Sequence, residues 1–254
     1  MVKELRAPAG LAPLIAAIAA IAIGFPATAA AQQPAPSTSL NQPARQAPSA
    51  GATRYTDLAS DQSFVIEERG RSALLRMEGS QEVIPLQAVP AQRGDVFLKS
   101  DSGEVILRKT EAGNMVSFIG NRNGAPADVV GPAASLNAPA MPASLDELRK
   151  QSAARLSRMA GHEVTIFGTA EFPDNEQWAA DALTNVEIGV ERANGPAGRV
   201  ASKLTAVRLV LSKAPSVAFQ DGELVLGVNP DQGYAGRPSS DAIASKLSAS
   251  RNSG

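Results

Sequence analysis

Two Pro- and Ala-rich segments divide this chain and limit where it can fold. Residues 32–54 and residues 121–143 each contain four prolines, among Ala, Gln, Asn and Ser. Such segments bury too little apolar surface to offset the entropy lost on ordering. The sequence therefore predicts a disordered leader (32–54), a linker (121–143) and two structured regions, 55–120 and 144–248. A disordered tail, 249–254, is expected to follow.

The first 31 residues have the pattern of a secretory signal peptide. Lys3 and Arg6 precede an apolar run from Leu11 to Phe25, and a proline and a row of small residues follow it. The run is shorter than the roughly 20 residues that span a bilayer. An uncleaved membrane anchor is the alternative, but the small-residue pattern favours cleavage after Ala29 or Ala31.

The cysteine content and the net charge narrow the expected location and partners of the mature chain. The chain has no cysteine, which excludes disulfides and the lipid attachment that a lipoprotein needs after its signal. Removing residues 1–31 leaves 22 basic and 24 acidic residues, a formal charge of −2. Nucleic-acid binding would normally show as a basic patch, and the sequence contains none. We therefore expect a soluble periplasmic or secreted protein, with no transmembrane segment after cleavage and no nucleic-acid partner.

The first structured region reads as short strands separated by glycine turns. Glycine reaches positive φ without penalty, and one stands near most of the places where the chain must reverse. A proline at position 85 indicates an edge strand, because proline cannot donate to a ladder. The pattern predicts an antiparallel β-meander of about six strands, at 64–66, 73–77, 83–86, 95–98, 104–107 and 115–119.

The second structured region mixes helices and strands. Ser144 and Glu147 have the spacing of a capping box, and Gly161 is placed to end the helix that begins there. Asp221-Gly222 predicts a two-residue hairpin. The expected order is α-β-α-α-β-β-β-α, with a three-stranded antiparallel meander near its end. Its elements are expected at 144–160, 162–167, 175–194, 198–204, 207–211, 216–220, 223–228 and 240–248. The predicted fold class is α+β.

Sequence motifs for catalysis are absent. His162 is the single histidine, so a histidine-based metal cluster is excluded, and no nucleophile elbow or nucleotide-binding glycine loop occurs. Arg93-Gly94-Asp95 fits a turn better than an adhesion motif. Glu67 and Glu68 are neighbours in a strand, so they point to opposite faces and cannot flank one glycosidic bond. We predict no catalytic residue, no metal site and no cofactor.

One loop, residues 229–240, contains the candidate binding residues. It connects a strand to a helix and includes Tyr234, Arg237, Ser239 and Ser240. In a functional interpretation, Arg237 and the N–H groups of the two serines hold an anion or a glycan, and Tyr234 offers a stacking face. In a structural interpretation, the loop is simply capped and Tyr234 fills the core. The sequence leaves both open.

Several stretches of the chain together resemble a known family. They are 71–76, the strand pair from 93 to 108, 113–118, 178–183 and 233–240. They are similar to an uncharacterised domain-of-unknown-function family of exported alphaproteobacterial proteins, over about 55–247. The resemblance implies export and a shared fold, and no catalytic residue.

Two classes of function follow from these observations. The first is a non-catalytic periplasmic or envelope binding protein, whose partner is a component of the cell envelope or another protein. The alternative is an envelope hydrolase acting on peptidoglycan, or an inhibitor of one. The meander suggests an inhibitor by fold analogy alone.

Overall fold

The first half of the described chain is a closed antiparallel β-barrel. The computed structural model describes residues 51–195 and 200–250. Each strand pairs with the next, and the first pairs with the eighth, which closes the barrel. The strands are β1 (Ala52–Asp57), β2 (Ser63–Arg69), β3 (Ser72–Met77), β4 (Val83–Pro90), β5 (Val96–Lys99), β6 (Val105–Lys109), β7 (Met115–Ser117) and β8 (Ala125–Pro132).

The predicted six-stranded meander was therefore wrong. Two strands that the prediction lacked close the barrel, and both draw on the Pro/Ala-rich segments. β1 begins inside the segment 32–54, and β8 lies within the segment 121–143. In β8 the side chains alternate: Ala125 and Ala127 are buried, whereas Pro126 is exposed. Small residues fit the barrel interior, so a composition typical of a linker also suits this strand.

Proline 85 does not mark an edge strand. β4 pairs with β3 on one side and with β5 on the other. Pro85 lies opposite Leu74 of β3, but the pairing with β5 begins only at Gln87. The missing N–H of Pro85 therefore falls where β4 has one neighbour.

Apolar side chains fill the barrel interior. Tyr55 stacks on Phe64 with ring centroids 5.6 Å apart. The buried interior cluster consists of Tyr55, Phe64, Ile66, Ala73, Leu75, Ile84, Leu86, Leu98, Leu107, Met115 and Ala127. The barrel therefore has a packed core, and its burial supplies much of the driving force for closing the sheet.

The second half packs three helices on one face of a four-stranded sheet. The helices are α1 (Leu145–Ala160), α2 (Glu176–Asn194) and α3 (Ser240–Ala249). The strands are β9 (Thr165–Phe167), β10 (Ala206–Leu211), β11 (Ser216–Gln220) and β12 (Glu223–Val228). The core between the two layers includes Leu156, Leu183, Val186, Leu209 and Leu226, each at most 1% exposed.

The predicted three-stranded antiparallel meander was also wrong. The strand order is β11-β12-β10-β9, and β10 runs parallel to both β9 and β12. Only the hairpin β11–β12 is antiparallel, and Asp221 and Gly222 form its turn with positive φ values of 50° and 83°. Hairpin chemistry is local, whereas the neighbour of β10 is set by packing that the strand sequences do not encode.

Local helix signals agree with the structure at two ends of α1. The Ser144 side chain accepts a hydrogen bond from the Glu147 amide, and Glu147 bonds back to Ser144, so the capping box is present. Gly161 ends the helix at φ 79°. The helix expected at 198–204 is a single 3₁₀ turn, Ala201–Lys203, within the described residues.

Other predictions concern residues outside the described ranges. The signal peptide at 1–31, most of the leader and the end of the tail lie there. Among the described residues, none of the helices is both long enough and apolar enough to cross a membrane.

Candidate functional site

The loop 229–240, which contains the candidate binding residues, lies where the barrel meets the helical half. The outer surface of the barrel and the loop share an apolar cluster that includes Val65, Leu74, Val83, Leu136 and Tyr234. The loop itself is a 3₁₀ segment, Pro230–Gly236. A Cβ on Gly236 would lie 1.8 Å from the Asn229 carbonyl oxygen, so only glycine allows this tight return of the chain.

Tyr234 is anchored at this junction rather than offered to solvent. Its side chain is 6% exposed, and its hydroxyl donates to the Asn137 carbonyl at 2.6 Å. Trp178 meets its ring edge-on at 5.2 Å, and the Arg237 guanidinium lies 5.4 Å from the ring centroid. Burial raises the pKa of the Tyr234 hydroxyl, and Asp181 nearby raises it further.

Arg237 is buried completely and joins the two halves. Its Nε donates to the Asp181 carboxylate of α2, and its Nη2 donates to the Val83 carbonyl of β4 at 2.8 Å. Its Nη1 has no hydrogen-bond partner within the described part of the chain. Burial raises the pKa of Asp181, and the Arg237 charge opposes that shift. The charges of Arg237 and Asp181 therefore compensate each other.

Ser239 and Ser240 place the first turn of α3 on carboxylates from the barrel. Ser239 donates through its backbone N–H and its hydroxyl to Asp101, at 2.8 and 2.5 Å. Ser240 donates in the same way to Glu82, at 2.9 and 2.7 Å. Arg192 forms an ion pair with Glu82 at 3.1 Å. The helix N-terminus thus has an anion, but the anion belongs to the same chain.

The structure brings all four predicted residues together, and it buries all four. Arg237, Ser239 and Ser240 hold the barrel against the helical half. Tyr234 alone also lines an open space, the cleft described next. The loop is therefore a structural junction that forms one wall of a cavity.

A cleft of about 590 Å³ opens beside Tyr234. The barrel contributes residues on β3 and the β3–β4 turn, α1 and α2 contribute one face each, and the irregular segment 135–142 contributes the rest. Many of the lining side chains are polar and can form hydrogen bonds. They include Arg76, Ser80, Gln81, Asn137, Gln151, Ser152, Arg155, Asp181, Thr184 and Glu187. We call this cavity the junction cleft.

The segment 135–142, expected to be a linker, is held in place by Glu67. The Glu67 carboxylate accepts from the Leu136 amide at 2.6 Å and from the Ser135 hydroxyl at 2.8 Å. Arg69 donates to the Leu136 carbonyl at 3.0 Å. Burial alone would raise the pKa of Glu67, but these hydrogen bonds lower it overall. The segment is therefore an ordered wall of the cleft.

The charges in the junction cleft are not equally available. Glu187 accepts from the Ser152 hydroxyl at 2.5 Å and pairs with Arg155 at 2.7 Å. Asp181 is paired with Arg237. Arg76 is exposed and has no ion pair with any residue the structure describes. The charge that stays unpaired in the junction cleft is therefore the positive charge of Arg76.

The other residues that the sequence offered as functional candidates do not line the junction cleft. His162 contacts the carbonyls of Glu163 and Ser202, at 3.0 and 3.1 Å, and these contacts raise its pKa. Arg93 forms part of a 3₁₀ turn with φ 60°. Glu68 pairs with Lys109 at 2.8 Å. Within the described ranges, no group of three or more potential ligands could hold a metal ion.

Sequence reasoning missed the acidic partners. Glu82 and Asp101 are far from Ser239 and Ser240 along the chain, so no local pattern connects them. Asp181 and Asn185 had a usable signal: both are polar residues four apart on the buried side of α2, beside Ala182 and Val186. A polar pair on an apolar helix face indicates a buried polar contact.

Comparison with models of protein families identifies a family. A family model described as "Domain of unknown function (DUF4908)" matches residues 35–247. No curated protein and no solved structure matches the chain.

Proposed function

The chain belongs to this family, a domain of unknown function named DUF4908, and from that premise we propose that it is a non-catalytic binding protein of the cell envelope. The predicted resemblance to a domain-of-unknown-function family is confirmed, while the alphaproteobacterial source and the export stay predictions. We propose that residues 1–31 direct export, and that the mature protein binds an anionic, polar envelope component in the junction cleft.

The observation behind this proposal is the unpaired Arg76 in a polar cleft. Both acidic side chains there, Asp181 and Glu187, already have a cationic partner. A guanidinium binds carboxylate or phosphate through two parallel hydrogen bonds. Neutral groups on Gln81 and Gln151 are available to orient the rest of a polar ligand. Carboxylate-bearing fragments of peptidoglycan have this chemistry.

A binding measurement with Arg76→Gln tests the proposal. Soluble fragments released from purified peptidoglycan are titrated into the mature protein by calorimetry. We expect Arg76→Gln to weaken binding by about tenfold, the equivalent of about 1.4 kcal/mol. Arg71→Gln is the matched control, because Arg71 is exposed on the neighbouring turn and does not line the cleft. Equal affinity in wild type and Arg76→Gln, or no binding at all, would overturn the proposal.

One observation favours the second candidate, an envelope hydrolase. The Ser152 hydroxyl donates to Glu187 and lines the cleft, which is the contact that a nucleophile and its base make. Arg155 forms an ion pair with the same carboxylate at 2.7 Å, so Glu187 has a cationic partner as well as the serine. Release of soluble products from labelled peptidoglycan that Ser152→Ala abolishes would establish the hydrolase and displace the binding protein.

A further inference from the structure

One edge strand of the four-stranded sheet has an open side. β11 pairs with β12 on one side and with no described strand on the other. The opposite edge strand, β9, has only three residues, and the barrel is closed and has no edge. An open cavity of about 490 Å³ lies between the first residues of β11 and α3. The free side of β11 is therefore the longest open strand edge within residues 51–195 and 200–250.

Two residues of β11 present their backbone groups to this open side. Because the turn 221–222 has two residues, the residues that flank it, Gln220 and Glu223, exchange both of their hydrogen bonds. Backbone direction alternates along a strand, so the N–H and C=O groups of Val217 and Phe219 point away from β12. Neither residue forms a backbone hydrogen bond elsewhere in the described chain. Each therefore leaves a donor and an acceptor free.

This edge lacks the features that normally protect an edge strand from pairing. Proteins protect open edges with charged side chains, proline, bulges or very short strands. The sequence of β11 is Ser-Val-Ala-Phe-Gln, without charge or proline, and its pairing with β12 has no register shift. Ser216, Ala218 and Gln220 are exposed and share one face of the strand. Such an edge can accept another strand.

β11 is complementary to itself in an antiparallel register that places Ala218 opposite Ala218 of a second copy. Val217 then lies opposite Phe219, so every free N–H and C=O group of both strands finds a partner. Moving the centre to Val217 brings Pro215, which has no N–H, opposite Phe219. Moving it to Phe219 brings Asp221, at φ 50° outside the strand, opposite Val217. Larger shifts overlap less of the strand, so the register centred on Ala218 uses the free groups best.

The charges at the two ends of β11 agree with this register. Lys213 precedes the strand and Asp221 lies in the turn after it; both are exposed, and neither forms an ion pair with a described residue. Antiparallel pairing brings Lys213 of each copy to the Asp221 turn of the other, within reach of a lysine side chain. Parallel pairing in register would place like charges side by side instead.

Other charged side chains near the start of β11 leave this contact intact. Lys246 of α3 lines the cavity beside the first residues of the strand, and it too is exposed without an ion pair to a described residue. Asp101 lines the same cavity, but both of its oxygens accept hydrogen bonds from Ser239. Asp231 follows the end of β12, one strand in from the edge. Two cations, Lys213 and Lys246, are therefore free to face the acidic turn of the other copy.

At the turn itself, Asp221 is the unpaired acid. Glu223 forms an ion pair with Arg208 at 2.7 Å. Lys203 approaches Gly222 through its backbone carbonyl, from the side where β10 begins. Because β12 lies between β10 and β11, that side is away from the free edge. The charge on the free side of the turn is therefore that of Asp221.

We propose that two copies of this chain associate through β11, paired antiparallel about Ala218, so that their four-stranded sheets join into one. The same surface of each copy forms the interface, as in other two-fold symmetric dimers. A strand of five residues makes a small interface, so we expect a dissociation constant on the order of 10 μM rather than an obligate dimer. The dimer goes beyond the ligand binding proposed above and does not depend on it.

A single introduced cysteine tests the register. The chain has no cysteine, so in Ala218→Cys the disulfide that can form joins two copies. Opposite residues in a non-hydrogen-bonded pair have Cα atoms about 4.5 Å apart, a distance that a disulfide spans. Mild oxidation of the mature protein, above the expected dissociation constant, should therefore convert most of Ala218→Cys into a covalent dimer.

Gln220→Cys is the matched control for the crosslink. Gln220 is exposed on the same face of β11, but in this register its two copies lie about 13 Å apart along the strands. We expect little covalent dimer from it. Equal crosslinking of the two variants, or no crosslinking of Ala218→Cys, would overturn the inference.

Sedimentation velocity tests the dimer without a crosslink. The mature protein should show a monomer–dimer equilibrium. Lys213→Glu places an acid beside Asp221 of the other copy, twice in each dimer, and should raise the dissociation constant about tenfold. Adding Asp221→Asn should recover most of that loss, because asparagine tolerates the positive φ of the turn.

Arg122→Glu is the control for the charge reversal, because Arg122 is exposed on the turn between β7 and β8 of the barrel. Its dissociation constant should equal that of wild type. A dissociation constant that Lys213→Glu leaves unchanged would contradict the register. A protein that stays monomeric leaves the edge to a strand of another protein, and the inference then fails.

Discussion

Arg237 is the single side chain on which the junction between the two halves most depends. It is fully buried, and it contacts Asp181 on α2 and the Val83 carbonyl on β4. Removing one member of a buried ion pair leaves an uncompensated charge, which costs more than the pair itself contributes. Replacing both members by apolar residues of similar size is often tolerated.

We therefore expect Arg237→Met to lower the free energy of unfolding by about 3–5 kcal/mol. The double variant Arg237→Met/Asp181→Leu should recover much of that loss, since no charge is then left buried. Urea unfolding followed by circular dichroism measures both values. A single variant that loses less than about 1 kcal/mol would contradict this account of the junction.

At the same scale, the sequence located the junction residues but not their role. Tyr234, Arg237, Ser239 and Ser240 stood out because a strand, a glycine-rich loop and a helix start coincide there. The serine pattern is the same whether the helix start meets a ligand or a protein carboxylate. Glu82, the acceptor for Ser240, is 158 residues away, a distance over which sequence patterns have no information.

Among the elements, the segment 135–142 depends on one carboxylate of β2. Glu67 holds the Leu136 amide and the Ser135 hydroxyl, and its side chain is 13% exposed. These bonds lower the pKa of Glu67 below its ordinary value of 4.5 in the folded state. The stability they give is complete above the ordinary pKa and is lost as the pH falls through the lowered, folded-state pKa.

This linkage predicts a pH-dependent effect of Glu67→Gln. Near neutral pH the variant should be less stable than wild type by about 2 kcal/mol, the usual value for hydrogen bonds to a charged group. The difference should shrink as the pH falls from the ordinary glutamate pKa through the lowered folded-state pKa, because Glu67 is protonated first in the unfolded chain and only then in the folded protein. Urea unfolding of both proteins across that range measures the difference, and a gap that stays constant with pH would refute it.

The elements also show how far local patterns reach. The Ser144 cap, the Gly161 end and the Asp221-Gly222 turn are correct because each depends on a few adjacent residues. Barrel closure was missed because β8 looks like a linker: its alanines are small and two of its residues are prolines. The order β11-β12-β10-β9 was missed because alternation reveals a strand and not its neighbours.

For the whole molecule, the two halves should unfold together. The buried Arg237–Asp181 pair and the α3 contacts with Glu82 and Asp101 join them. Trp178 is the chain's one tryptophan, and it packs against Tyr234 at the junction. Its fluorescence therefore reports on the junction, whereas far-ultraviolet circular dichroism reports on all helices and strands.

We expect the thermal transitions from these two signals to coincide, as in two-state unfolding. Arg237→Met provides the comparison, since a weakened junction should lower both midpoints. If tryptophan fluorescence changes well before the dichroism in wild type, the halves separate first and the junction is not what makes the molecule cooperative.

The seam of the barrel, where β1 pairs with β8, has a consequence for the affinity of a ligand in the junction cleft. The Ala133 amide donates to the Ala52 carbonyl at 2.8 Å, and three residues later Leu136 enters the wall of the junction cleft. One continuous stretch of backbone thus closes the barrel and shapes the cleft. By thermodynamic linkage, a ligand bound there favours the closed seam, and any change that opens the seam lowers affinity by the same free energy.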